Sequence, residues 1–371
     1  MTVNNLNQFT ITTVICTYKR PILLKRAIDS VLNQTYRNIE VRIYDNNSGD
    51  ETEQIVQEYM KSDSRVFYVK RKDNIGAINN IIQGIEAVET GLYSLLADDD
   101  FLFPEHYENA MEHFKRDNTL GFVCSRSIQI DVVNKRVQLL NGNWSEGIYQ
   151  PSKESSTKMI NSLFSLTGVV FRSEMKEKIG SMDESCNDKV YMALAASARP
   201  FYVLGRYGCV NVLHANSFTS NSGMLDVSQK MIYQAMLLSI DRITNLKITN
   251  DHRVHLLSLV NSQYYAILNW KKCHSLLFKS VEEQSLNSAF IPPLLNLSNV
   301  LLRVHKLCPK WFKPLFLRFG RLLFYIKNVI LFKKGYGQQR KVSVQTIEFV
   351  KKGTSDMAIF KKLLEKDNII L

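Results

Sequence analysis

The chain has 371 residues, of which 45% are hydrophobic and 22% charged, so it has the composition of a globular protein with room for two domains. Its six cysteines are scattered without a C-x-x-C pair, which argues against a disulfide scaffold or a zinc site and favours a reducing, cytoplasmic setting. The polar segment Met1–Thr10 predicts no secretory signal, and we expect no transmembrane helix because no run of about 18 residues is continuously apolar.

Strand and helix patterns alternate through the first hundred residues. Apolar, β-branched runs predict strands at Phe9–Cys16, Ile39–Tyr44, Val66–Val69 and Tyr93–Ala97. Helical spacing follows the first three of these runs, from Pro21, from Glu51 and from Ile78. The alternation predicts an α/β fold, a mixed, mostly parallel sheet with helices on both faces.

Between residues 104 and 214 the strand signals continue at less regular spacing. Helices are predicted at Pro104–Lys115 and Lys189–Ala198, and a polar loop at Asn141–Ser156. Further strands are predicted at Gly121–Ile130, Arg136–Leu140, Ser165–Arg172, Pro200–Leu204 and Gly208–Leu213. From Asp226 onward helical patterns dominate, so we place a domain boundary near Ser222, with a mainly helical region at 223–371.

The positive charge is concentrated at the end of the chain. Residues 301–371 contain 16 basic and 4 acidic side chains, an excess equal to the net charge of +12 for the whole chain. Apolar residues between Leu315 and Ile326 form a stripe flanked by Arg318, Arg321 and Lys327, which is typical of a helix lying on an anionic membrane. A helix packed on its own domain and an oligomer interface are the alternatives. Nucleic acid is not expected, because no binding motif is present.

Three consecutive carboxylates, Asp98, Asp99 and Asp100, follow the predicted strand Tyr93–Ala97. Ligands of open α/β sheets bind at the carboxyl ends of strands, and hard divalent cations take oxygen ligands while leaving positions for phosphate. The triplet therefore indicates a metal–diphosphate site. A solvated acidic turn is the alternative.

Four segments resemble glycosyltransferase family 2, the nucleotide-sugar transferases with the GT-A fold, over roughly Thr10 to Thr219. They are Val14–Pro21, Val41–Asp50, Asn74–Gly76 with the triplet and Pro104, and the acceptor half with Gly168, Arg172, Gly180–Glu184, Asp188 and His214. Two positions depart from the family, which often has Asp where this chain has Ala97 and Glu where it has Asn187.

The resemblance implies a role for the nucleotide-side residues. Asp45 would accept a hydrogen bond from a uridine-type base, with an Asx-turn as the alternative. Thr17 would contact the nucleotide through its backbone, or simply end a strand, and Arg20 would reach a phosphate or ribose, or remain a solvated cation. Asp99 would ligate Mn²⁺ or Mg²⁺, Asp98 would contact the ribose or the metal, and Asp100 would join the metal or cap the next helix.

The acceptor-side residues follow in the same way. Asp188 would be the base that deprotonates the acceptor hydroxyl, or would only cap the helix that begins at Lys189. His214 would lie near the diphosphate or metal, or be an ordinary strand-end polar residue.

The implied protein is an inverting, metal-dependent transferase that uses a UDP-sugar donor and a glycan or lipid-linked acceptor, on the inner face of a bacterial membrane. A nucleotide-sugar or glycan-binding protein without transfer activity is the alternative, kept open by Ala97 and Asn187. A nucleotidyltransferase would want a glycine-rich loop after the first strand, and the segment from Thr17 to Pro21 has no glycine.

Overall fold

A computed structural model describes residues 8–180, 188–215, 217, 229–267 and 340–369. The chain forms two compact units, one built from Met1–Val227 and Gly335–Leu371 and the other from Ser228–Lys334. The predicted boundary near Ser222 lies close to the start of the second unit. The expectation of one continuous C-terminal region differs from the structure, because residues 340–369 fold with the first unit.

The N-terminal half of the first unit is a parallel α/β layer. Its strands are β1 (Ile11–Thr17), β2 (Ile39–Asp45), β3 (Val66–Lys70) and β4 (Leu92–Ala97), in the spatial order β3–β2–β1–β4. The helices that follow the first three strands are α1 (Pro21–Leu32), α2 (Thr52–Ser62) and α3 (Ala77–Glu86). Since these strands are parallel, the segments after β1, β2 and β4 meet at one edge of the sheet. The predicted α/β alternation is confirmed.

The second half of this sheet is largely antiparallel. The elements between residues 101 and 160 are β5 (Phe101–Leu102), α4 (His106–Arg116), β6 (Phe122–Asp131), β7 (Arg136–Leu140), β8 (Gly147–Tyr149) and α5 (Lys153–Ile160). They are followed by β9 (Val169–Arg172), α6 (Met175–Ile179), α7 (Asp188–Ala198) and β10 (Phe201–Leu213). β9 runs antiparallel to both β4 and β6, whereas β10 runs parallel to β6 and antiparallel to β5 and β8. The sheet is mixed, as predicted.

Three local predictions differ from the structure. The helix predicted from Pro104 begins at His106, because Pro104 and Glu105 form a turn first. The region 141–156 contains β8 and the start of α5 rather than a plain loop, because β8 adds to the edge of β10. The strands predicted at 200–204 and 208–213 are one strand, β10, whose register with β6 shifts between Val203 and Cys209.

The C-terminal segment completes the first unit. It contains β11 (Arg340–Lys341), α10 (Val344–Lys351) and α11 (Met357–Lys366), and β11 pairs antiparallel with β7. The apolar residues of α10 and α11, among them Ile347, Phe349, Phe360 and Leu364, join a buried cluster with Phe101 and Phe103 next to the Asp triplet. Burial of these side chains attaches the segment to the first unit, at about 1.5–3 kcal/mol for each large one.

The described part of the second unit consists of α8 (Gln229–Asn245) and α9 (Asn250–Ile267), in agreement with the predicted helices. No helix within the described residues is long and apolar enough to span a membrane. The basic, amphipathic stretch with Arg318, Arg321 and Lys327 lies outside the described residues.

Candidate active site

The Asp triplet lies in the turn between β4 and β5, at the carboxyl end of the parallel layer. Its neighbour in the sheet is the end of β1, where Cys16 is opposite Ala97. Asp98, Asp99 and Asp100 are 4%, 7% and 6% exposed, so the alternative of a solvated acidic turn does not hold. Buried carboxylates need paired donors or cations, and the surrounding strands supply them.

Asp98 is held by the turn that follows β1. Thr17 Oγ1 donates to Asp98 Oδ2 at 2.8 Å, and Arg20 Nη1 donates to Asp98 Oδ1 at 2.9 Å. Burial raises the pKa of Asp98, and the positive charge of Arg20 opposes that rise. The structure therefore brings together three of the predicted residues, and Thr17 does more than end a strand, because its side chain fixes the first carboxylate.

Asp99 connects β4 to the end of β10. Asp99 Oδ2 accepts from Arg20 Nη1 at 3.2 Å and lies 3.1 Å from His214 Nε2. Ser217, which the sequence did not single out, accepts from the backbone N–H of His214 at 2.9 Å and lies 3.5 Å from the same carboxylate oxygen. Arg20 and His214 are thus close to the triplet, and the contacts that the resemblance implies for them, with phosphate, ribose or metal, stay predictions.

Asp100 faces β10 and is fully engaged by it. Its carboxylate accepts hydrogen bonds from the backbone N–H of Val212 at 2.9 Å, from Asn211 Nδ2 at 2.8 Å and from Thr167 Oγ1 at 2.8 Å. Burial raises the pKa of Asp100, and these donors oppose the rise. It does not cap the next helix, where Glu105 occupies the N-cap position. Both oxygens of Asp100 accept from these donors, whereas the contacts given above for Asp99 all involve Oδ2, so Asp99 is the better candidate ligand.

Asp45 forms the turn that the alternative prediction described. Asp45 Oδ1 accepts from the backbone N–H of Ser48 at 2.9 Å, and Oδ2 accepts from Tyr68 Oη at 2.6 Å. Its backbone pairs with Thr17 across β1 and β2, next to the triplet. The Asx-turn is therefore present, and contact with a nucleotide base stays a prediction.

Asp188 is the first residue of α7 and is half-buried. Burial raises the pKa of its carboxyl group to about 7. One turn further along α7, Tyr191 Oη lies 3.0 Å from Tyr93 Oη on β4, the strand that ends at the triplet. Among the described residues, no hydrogen bond or ion pair joins Asp188 to the triplet, and residues 181–187, including Asn187, lie outside the description.

A buried arginine that contacts the triplet could not be singled out from the sequence. Arg26 on α1 is 0% exposed and donates from Nη2 to the backbone oxygen of Asp99 at 2.6 Å. The sequence around Arg26 did not indicate that this residue is buried, because a lone arginine next to Lys25 in an amphipathic helix is expected to face solvent. Within the described residues, no cluster of three or more His, Cys, Asp or Glu side chains is arranged around a metal position. The best-placed pair of ligand atoms is Asp99 Oδ2 and His214 Nε2.

Comparison with known proteins gives one matching family. The model of the family described as "Glycosyl transferase family 2" matches residues 12–180, which contain β1 to β9 and the triplet. A GalNAc(5)-diNAcBac-PP-undecaprenol beta-1,3-glucosyltransferase of Campylobacter jejuni is 22% identical over 274 residues, which are 72% of this chain and 87% of that protein. A chondroitin synthase of Escherichia coli is 24% identical over 220 residues, 59% of this chain but only 31% of that protein.

Solved structures agree on the fold. The structure of S. aureus TarS 1-349 in complex with UDP-GlcNAc has a TM-score of 0.59 and 17% sequence identity, over 88% of this chain and 92% of that one. At this identity the likeness concerns the fold alone, which is the GT-A arrangement that the sequence predicted. Residues 12–180 therefore belong to glycosyl transferase family 2, and the chain is classed with the glycosyltransferases.

Proposed function

We propose that this chain is an inverting, metal-dependent transferase that moves a sugar from a UDP-linked donor to a glycan or lipid-linked acceptor of bacterial surface polysaccharide. The observation that carries the proposal is the convergence at the carboxyl end of β4. Two buried carboxylates, Asp98 and Asp99, meet Thr17 at the end of β1, Arg20 in the turn that follows it and His214 directly after β10. Such a cluster combines acidic ligands for a cation with a guanidinium that suits phosphate.

The donor set fits a divalent ion of the Mn²⁺ or Mg²⁺ class. A carboxylate and an imidazole, Asp99 and His214, would hold it, because these are ligands that Mn²⁺ accepts. Such ions are often bound through one or two protein groups, with the remaining positions taken by water and phosphate. When bound, the ion would supply positive charge next to the diphosphate.

Arg20 would act on the donor side of the reaction. Its guanidinium is a quarter exposed and shares one nitrogen between Asp98 and Asp99, so it lies at the edge of the buried cluster. A phosphate oxygen would compete well for such a group, because arginine pairs with phosphate through charge-assisted bonds. Asp45 and Thr17, next to each other in the sheet, would face the nucleoside.

Asp188 would act on the acceptor side. An inverting transfer needs a base that takes the proton of the acceptor hydroxyl as its oxygen attacks the anomeric carbon. The bond from that carbon to the diphosphate oxygen breaks in the same step, and UDP leaves. A carboxylate whose pKa is raised to about 7 by burial is a competent base at neutral pH.

The proposal is tested first by binding, without knowledge of the acceptor. UDP, UDP-GlcNAc, UDP-glucose and GDP-mannose would be added to the full chain with and without Mn²⁺ while thermal unfolding is followed. We expect UDP or a UDP-sugar to raise the melting temperature only with Mn²⁺, and Asp99→Ala to abolish this rise. Asp241→Ala, at an exposed position of α8, is the matched control and should keep it. Stabilisation that ignores the metal would contradict the proposal.

Hydrolysis of the donor separates transferase from binding protein. A transferase with its acceptor absent should slowly release UDP from the preferred UDP-sugar in the presence of Mn²⁺. A protein that only binds the nucleotide sugar should show the same thermal stabilisation and no release. Assay of UDP by coupled enzymes or by chromatography decides between the two.

A further inference from the structure

One buried arginine joins the C-terminal segment to the backbone of the Asp triplet. Arg26 Nη1 donates to the backbone oxygen of Val350 on α10, while Nη2 of the same guanidinium donates to the backbone oxygen of Asp99 at 2.6 Å. One buried side chain therefore joins the candidate catalytic turn to an element more than 240 residues away in the sequence. We name residues 340–369 the C-terminal brace.

Aromatic packing reinforces the same connection. The guanidinium of Arg26 lies 4.6 Å from the ring centroid of Phe101, which directly follows the triplet. Phe101 in turn packs edge-to-face on Phe360 of α11, at 5.3 Å between ring centroids. Phe360 is also stacked on Phe349 of α10 at 5.4 Å. The brace thus contacts the turn through its side chains as well as through Arg26.

The positive charge of Arg26 compensates the negative charge of the nearby carboxylates. Burial lowers the pKa of Arg26 to about 10, and the carboxylates of Asp100 and Asp99 limit that fall. The guanidinium is therefore still protonated at neutral pH. A full positive charge with no solvent exposure therefore lies near the two buried carboxylates of Asp99 and Asp100, and a buried charge without compensation is strongly unfavourable.

We propose that Arg26 is a positioning residue for the Asp triplet, and that the C-terminal brace holds it there so that Asp98 and Asp99 present their carboxylates to the donor. This inference rests on the proposed function for its consequence in donor binding. Removing a residue that orients the ligand-binding groups commonly changes affinity or activity by about 10–100-fold. The brace is therefore part of the donor site's architecture, although none of its residues is placed at the reacting atoms.

The test compares three single variants of the full chain. Arg26→Met keeps the length of the side chain but removes both hydrogen bonds and the charge, and Arg26→Lys keeps the charge but cannot reach both carbonyl oxygens in the same way. Ile160→Ala opens a cavity at a buried position of α5, outside the cluster that joins Phe101 to the brace, and serves as the matched destabilising control. All measurements are made at a temperature at which each variant is folded.

Two readouts decide the outcome. The Kd for UDP in the presence of Mn²⁺ should rise about 10–100-fold in Arg26→Met, by less in Arg26→Lys, and by no more than about twofold in Ile160→Ala. Hydrogen exchange without ligand should become faster in Arg26→Met for the amides of Asp100, Leu102 and Phe103, which donate hydrogen bonds to Ala97, Ser30 and Gly208 respectively. Ile160→Ala should leave those amides as protected as in the parent.

The results separate this inference from the proposed function. If Arg26→Met kept the parent's exchange pattern and UDP affinity, the positioning role would be overturned. Equal effects of Arg26→Met and Ile160→Ala on both readouts would also overturn it, because they would show a role in stability alone. If the parent chain bound no UDP, the proposed function would fail, and the exchange of the triplet amides would still decide the role of Arg26.

Discussion

Asp99 Oδ2 and His214 Nε2 lie 3.1 Å apart, although 115 residues separate them in the sequence. The contact closes β10 against the turn after β4 and places an imidazole next to a buried carboxylate. If His214 had no partner, the alternative that it is an ordinary polar residue at the end of a strand would have been favoured. The pairing instead supports a joint role at the donor diphosphate, and the following predictions test the residues around it.

Replacing Arg20 with alanine should destabilise the chain and strengthen its response to Mn²⁺. The change leaves Asp98 and Asp99 without their shared donor, at a cost of about 2 kcal/mol in the free energy of unfolding. Added Mn²⁺ would offset the same negative charge, so the metal should raise the melting temperature of Arg20→Ala more than that of the parent. Arg116→Ala removes an exposed pair with Glu112 and should change neither quantity. Equal metal responses in parent and Arg20→Ala would contradict the metal assignment.

Asp188→Asn should abolish transfer while preserving donor binding. Loss of a general base commonly lowers the rate about 10²–10⁴-fold, and the KM for the UDP-sugar should change little. In the parent, the rate should rise with pH and level off above about 7, because only the ionised carboxylate accepts the proton. A parent rate that is independent of pH between 5 and 8 would argue against Asp188 as the base.

The same residue predicts the sign of a stability change. The pKa of Asp188 is raised from an ordinary 3.8 to about 7 in the folded chain, so the folded state binds its proton more tightly than the unfolded state. Its contribution to stability is therefore fully present at low pH and is lost as pH rises through about 7. Asparagine cannot ionise, so the stability of Asp188→Asn relative to the parent should increase between pH 5 and pH 8. Chemical denaturation at each pH measures it.

Asp100→Ala should lower the free energy of unfolding. The substitution leaves the donors of Val212, Asn211 and Thr167 without their acceptor, at a cost of about 3 kcal/mol in the free energy of unfolding. Asn211→Ala removes one of these bonds and should cost about 1 kcal/mol. If Asp100→Asn instead abolished the Mn²⁺ response with an unchanged melting temperature, Asp100 would be a metal ligand after all.

Gly208→Ala should destabilise the chain through a steric clash behind the triplet. A Cβ at Gly208 would overlap Ser125 and His106, whose pKa is lowered to about 4 by burial. Overpacking of this kind costs about 1–3 kcal/mol. Gly142→Ala meets no atom within 4 Å and is the control. The double variant Gly208→Ala with His106→Ala should lose less than the sum of its parts, since one of the clashing groups is gone.

Membrane contact by the basic tail is tested with the full chain. Changing Arg318, Arg321 and Lys327 to Gln should weaken sedimentation with vesicles containing anionic lipid about a hundredfold, at about 1 kcal/mol for each charge. The same charge change at the exposed residues Lys351, Lys352 and Lys362 of the C-terminal brace is the control. Identical sedimentation of both triple variants would count against a membrane role for the tail.

The parallel layer and its turns were accessible from the sequence because they depend on local patterns. β-branched runs, Pro21 at the first position of a helix and the carboxylates after β4 each carry their signal within a few residues. The family resemblance singled out Thr17, Arg20, Asp98, Asp99 and His214, and the structure places their side chains in mutual contact. Their roles toward nucleotide and metal stay predictions.

The roles of Asp100 and Arg26 could not be read in the same way. Two partners of Asp100, Asn211 and Val212, lie on β10, more than 100 residues downstream, and nothing in the triplet distinguishes a carboxylate facing β10 from one facing a ligand. Arg26 donates to Val350 on α10 as well as to Asp99, and in the sequence α10 lies beyond a whole inserted unit. Both features depend on tertiary pairing, for which a local pattern carries no signal.

The pairing of β11 with β7 has a consequence for the order in which the protein forms during synthesis. The ribosome releases the other strands and helices of the first unit long before it releases residues 340–369, so the nascent chain must hold Arg26 without its second carbonyl partner until that segment has been made. Domains generally acquire structure as they emerge, but this one cannot finish until residues 340–369 emerge. A messenger RNA truncated within the region that encodes the inserted unit would therefore yield a chain that contains every candidate catalytic side chain. That chain would still lack residues 340–369, which contact Arg26.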